Sequence, residues 1–114
     1  MYPFIPNMRL FHDREKCLRW FERNYGSVPR LHDSAAQTIS CEDGDVVLME
    51  CICEEVWEDA LLVHEACHVV SNHLSRIMED SPGEEVLAYM MQVVSGALMH
   101  AHHEWREKHV GGGE

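Results

Sequence analysis

The chain has 114 residues, with 9 Lys plus Arg against 20 Asp plus Glu and a formal net charge of −11. Its 46% hydrophobic and 25% charged residues describe one ordinary soluble domain, too small for two domains with a deep cleft between them. The acidic balance argues against nucleic acid as the main partner, because phosphate contacts need a basic patch, and no stretch reaches the roughly 18 apolar residues of a membrane span.

The first residues, Met1-Tyr-Pro-Phe-Ile-Pro-Asn, lack the basic and apolar regions of a secretory signal. Asp13 to Tyr25 reads as a helix, with Cys17, Leu18, Phe21 and Tyr25 at helical spacing and Gly26 as the stop. Ala36 to Cys41 and Asp45 to Cys53 read as two strands joined by Glu42-Asp43-Gly44-Asp45, a hairpin turn. The second strand is apolar on nearly both faces and should be covered on both.

Glu54 to about Met78 reads as a long helix whose acidic first turns (Glu54, Glu55, Glu58, Asp59) suit the positive end of the dipole. Ser81-Pro82-Gly83-Glu84 then reads as a capping box, with Ser81 as N-cap and Glu84 at N3. A second long helix should run from there to about Lys108, with Gly96 as a weak point. The expected architecture is α+β: a small antiparallel sheet or hairpin packed on two long helices, plus the N-terminal helix. As one domain it divides into a helix and loop (1–35), a hairpin with the long helices (36–108) and a flexible tail (109–114).

Cysteine usage is odd in number and has no CxxC: Cys17, Cys41, Cys51, Cys53 and Cys67. Small buried hydrophobes in a reducing cytoplasm are the expected reading. Histidine is in excess, at nine residues.

Two of those histidines carry a specific chemistry. His64-Glu65-Ala66-Cys67-His68 is an HExxH motif on the first long helix. Residues i and i+4 share a helix face, so two imidazoles there can meet one zinc ion. Glu65, next to the first histidine, is placed to act as general base on a metal-bound water. Apolar neighbours on both sides imply a largely buried helix, and a buried histidine pair needs a hydrogen bond or a metal. A catalytic zinc needs a third protein ligand. Glu85, in the first turn of the next helix, is the candidate; Glu84 competes but has the capping box to serve.

HExxH followed by Glu85-Val86-Leu87-Ala88 resembles the gluzincin side of the zincin metallopeptidases. More closely, the stretches from Leu61 to Val70 and from Pro82 to Gln92 resemble small bacteriophage-encoded zincin-like metallopeptidases. The resemblance covers roughly Ala36 to His103 and is specific at the two motifs. It implies His64, His68 and Glu85 as zinc ligands, Glu65 as general base, and action in a bacterial cytoplasm. It also implies a peptide or protein substrate, or, for a catalytically silent relative, a host protein as partner. Metallopeptidases of this kind add a Tyr or His donor for the oxyanion. Tyr89, one turn after Glu85, is the candidate, with a core or supporting tyrosine as the other reading.

The other histidines read differently. On a continuous helix His100, His102 and His103 lie about 22 Å or more beyond Glu85, too far to share its metal. They read as a solvated helix end favoured by the dipole, or as a separate weak metal site. His73 reads as surface or supporting, and His12, His32 and His109 have no readable role. Met78, Met90, Met91 and Met99 read as core, and Trp20, Trp57 and Trp105 as packing anchors.

Overall fold

The computed structural model describes residues 6–50, 54–77 and 83–111. A four-residue strand, β1 (Met8–Phe11), opens the described chain. Helix α1 (Arg14–Tyr25) follows, and its ends are chemically defined. The Asp13 carboxylate accepts the backbone N–H groups of Glu15 and Lys16, and Gly26 closes the helix in the left-handed conformation (φ 74°).

Strands β2 (Ala36–Ser40) and β3 (Asp45–Met49) form the expected antiparallel hairpin, in register from Ala36↔Met49 to Ser40↔Asp45. The sheet is mixed rather than purely antiparallel. β1 lies parallel to β3 on its other side, Met8 opposite Asp45 and Phe11 opposite Leu48, so the strand order is β1-β3-β2. The parallel arrangement needs a crossover, and α1 with β2 supplies it. At the turn, Gly44 is tied to β1: a Cβ there would come 2.5 Å from the Asn7 carbonyl oxygen, which accepts the Asp45 N–H. A glycine is required by that close approach.

The period-2 alternation of β3 explains why it is apolar throughout. Val47 and Met49 face the long helices, whereas Val46 and Leu48 face Cys17 and Phe21 of α1. The protein is therefore α+β in three layers: α1, the sheet, and a pair formed by α2 (Glu55–Arg76) and α3 (Glu84–Arg106). Leu62, Ala66, Val69, Val70, Met90, Val94 and Leu98 make the helix-side core, with Met91 and Met99 packed against it. Burial pushes the Cys17 thiol up to about 11, which keeps it an inert apolar group. Among the described residues, no helix is long and apolar enough to cross a membrane.

Several expectations change. β3 ends at Met49, and Cys51 to Cys53 lie outside the described residues. Helix α3 begins from Gly83 as N-cap with no side-chain cap, so Glu84 and Glu85 are its first two residues and Glu84 is not at N3; Ser81 and Pro82 lie outside the described residues, as does Met78. The helix passes Gly96 without a break and ends in a π turn, Glu107–Gly111, which takes in the first glycine of the expected tail. Cys67 is exposed, not buried. Trp57 is 65% exposed on α2 and anchors nothing in the core.

Candidate functional site

The sheet covers one side of α2 and α3 covers another, and this decides where the motif points. Glu58, Leu62, Glu65, Ala66, Val69, Val70, His73 and Leu74 make the buried stripe of α2. His64 and His68 fall outside that stripe and are exposed. The expectation of a buried histidine pair is therefore corrected: their ordinary solvation needs no metal to explain it. The pair is well formed as a pair, with ring centroids 5.1 Å apart and planes at 72°.

Glu65 is one residue and about 100° further round the helix. Its side chain enters the interior, with 4% of its surface exposed. The Thr38 hydroxyl of β2 donates to its Oε1 at 2.6 Å, and the same hydroxyl lies 3.4 Å from the Glu65 carbonyl oxygen. Thr38 and Ala36 alternate toward α2, which is how an edge strand of this sheet comes to hold the motif glutamate.

Glu85 is exposed in the first turn of α3. The pairing of the two long helices fixes its level. Glu58 of α2 meets His102 and Arg106 of α3, and Asp59 meets His103. The helices run antiparallel, so each step toward the connecting loop on one is matched on the other. Glu85 then stands level with the last turn of α2 near Arg76, about 12 Å along the axis from His68. Side chains lean toward a helix N-terminus, so His68 and Glu85 lean away from each other. Among the described residues, no three of His, Cys, Asp and Glu converge on a point that would hold a metal ion. Two imidazoles at this spacing suit zinc; the trio of His64, His68 and Glu85 is not assembled in this arrangement. Tyr89 is half-buried on α3, one turn beyond Glu85.

A second constellation escapes the sequence reading. His102 is fully buried, not solvated, and its Nε2 lies 2.7 Å from Oε1 of the equally buried Glu58. Its Nδ1 lies 2.9 Å from Nε2 of His12, which stacks on Trp105 at 4.0 Å between centroids. Arg106 donates from Nη1 to both Glu58 oxygens. The simplest proton assignment with Glu58 ionised has His12 Nε2–H donating to His102, and His102 Nε2–H donating to Glu58. Glu58 was readable in principle: it sits one turn before Leu62 on the buried stripe of α2, and an acid there needs a cation. His103 bonds Asp59 at 2.8 Å, and His100 stays exposed beside Glu104.

His73 is buried rather than a surface residue, with an Nε2 that has no partner among the described residues. Burial and then the nearby Arg76 lower its pKa, so it is neutral at neutral pH. No protein-family model, curated protein or solved structure matches the chain.

Proposed function

We propose that this protein is a zinc-dependent metallopeptidase of the zincin type, acting on a peptide or protein substrate in a bacterial cytoplasm, with His64 and His68 as its zinc-binding pair. The observation that carries this reading is the exposed pair itself, held one helical turn apart on a helix locked between the sheet and α3. Bound zinc would supply Lewis-acid polarisation and an acidified water. Two features of the chain support a peptide ligand. Among the described residues β2 has β3 on one side only, so its outer edge offers main-chain groups for strand addition beside the motif. Trp57 and Val63 are exposed on the outward side of the same helix, an apolar surface next to the histidines.

A second reading rests on Glu65. A general base needs a carboxylate free to take a proton, and this one is buried and already accepts from Thr38. That favours the alternative of a catalytically silent zincin-type protein, phage-encoded by its resemblance, that binds a host protein. Glu65→Gln separates the two, because the amide keeps an acceptor oxygen for Thr38 and so the fold. A peptidase retains zinc in this variant and loses hydrolysis of a peptide library by about 10²-fold or more. A silent protein shows no hydrolysis in the wild type. Absence of stoichiometric zinc in the wild type by elemental analysis, after zinc addition at neutral pH, defeats both readings.

A further inference from the structure

The charge of this chain is unevenly distributed. Six of its nine Lys and Arg residues, but only four of its twenty Asp and Glu, precede residue 36. Folding concentrates the cations further. Lys16, Arg19 and Arg23 recur at helical spacing along one face of α1, and Arg9 projects from the face of β1 that looks toward them. Together with Phe11 and Trp20 they line a cavity of about 520 Å³ between the strand and the helix. The Arg9 guanidinium lies over the Trp20 ring, 5.1 Å from its centroid.

These four cations are unlike the arginines that hold the fold together. Arg14 pairs with Glu50, Arg76 with Asp45 and Arg106 with Glu58. Among the described residues, none of Arg9, Lys16, Arg19 and Arg23 has a carboxylate partner, and all four are exposed. Four like charges around one concavity repel one another, and a protein of net charge −11 has ample acid with which to neutralise them. It leaves them open instead.

We propose that this groove is a binding site for a compact oligophosphate group. A single carboxylate or sulfate leaves half or more of the cationic charge unmatched, whereas two or three linked phosphates match it, and guanidinium forks bind phosphate oxygens in pairs. The volume is that of a small-ligand pocket. A long nucleic acid is the less favoured occupant. The rest of the chain carries sixteen of the twenty acids and three of the nine cations, a charge that repels a polyanion extending beyond the groove. The Trp20 face is occupied by Arg9, so the site reads phosphate and not a base.

The test is titration calorimetry of the full chain with inorganic tripolyphosphate and with ATP, in metal-free buffer at low salt. Arg19→Glu with Arg23→Glu weakens tripolyphosphate binding at least tenfold, while Arg30→Glu with Lys108→Glu, an equal charge change away from the groove, leaves it within about twofold. All four side chains are exposed, so circular dichroism and thermal midpoint serve as the folding control. Affinity for ATP no higher than for tripolyphosphate is the expected result, since the phosphates alone are read, and tighter ATP overturns that assignment. The proposal is overturned by no binding at millimolar ligand, by equal weakening in both double variants, or by tighter binding of an oligothymidylate or a hexaglutamate peptide than of tripolyphosphate.

Discussion

His12 sits where an imidazolium is unwelcome. Burial is the first cause, and the neighbouring His102 and His109 add to it, so that its pKa is pushed down to about 4 from an ordinary 6.5 despite an opposing effect of Glu58. Trp105 stacks on one face of the ring. Arg106, on the far side of Glu58, adds positive charge to the same cluster. A histidine whose native pKa lies below its unfolded value binds its proton more weakly in the fold. Its contribution is therefore complete above about pH 6.5 and is lost as pH falls from there toward 4, because the unfolded chain takes up the proton first. For a half-buried ring the loss is about 1–2 kcal/mol, less than the full shift implies, because solvent screens part of it. Urea unfolding of the wild type should show this decline across the acid range, and His12→Gln should flatten it. His73, also lowered by burial, remains in both proteins, so the comparison isolates His12. Equal slopes in the two proteins would rule His12 out as the source.

At the scale of elements, the α2–α3 pair is fixed at one end by buried charge. Glu58, with no exposed surface, accepts from His102 and from Arg106, and this cluster sets the level at which the helices pass. Breaking one partner of a buried charged cluster is costly, because the others are left unpaired in the interior. Glu58→Gln keeps the volume but removes the charge opposite Arg106, and should cost about 3 kcal/mol in chemical unfolding. His103→Ala, which removes a part-exposed pairing with Asp59, should cost under about 1 kcal/mol. Comparable losses would mean that the buried cluster does not fix the pair. The same pairing shows what was legible in the chain. The helices, the hairpin and the Asp13 and Gly26 boundaries follow from local periodicity and turn chemistry. The level of one helix on another depends on contacts such as Glu58 with His102, 44 residues apart, which no local pattern encodes. The HExxH pair was therefore readable as a pair, because i,i+4 spacing is local. Whether Glu85 joins it was not, because that is a question of helix register.

Across the whole molecule, the three layers make the N-terminal third part of the same cooperative unit as the rest. β1 was not expected, because four residues of alternating character carry little local signal and its pairing is parallel and distant. Yet it covers one edge of β3, and α1 covers Val46 and Leu48. The expected division after residue 35 sets the N-terminal helix and loop apart from the hairpin and long helices; the packing ties the two parts together. A fragment of residues 33–114 would expose Val46, Leu48 and Ile39 to water and leave β3 with an unpaired edge. It would also free Glu50 from Arg14. Each large apolar side chain uncovered loses about 1.5–3 kcal/mol of burial. Three such losses rival the 5–15 kcal/mol by which domains are stable. The fragment should therefore lack a cooperative thermal transition and bind a hydrophobic dye, while the full chain melts in one step. A fragment with a sharp transition and native-like amide dispersion would show instead that the helix-side core of Val47, Met49, Leu62, Val69, Val94 and Leu98 suffices. That result would detach α1 and its basic groove from the stability of the fold, leaving ligand binding as the reason the chain carries them.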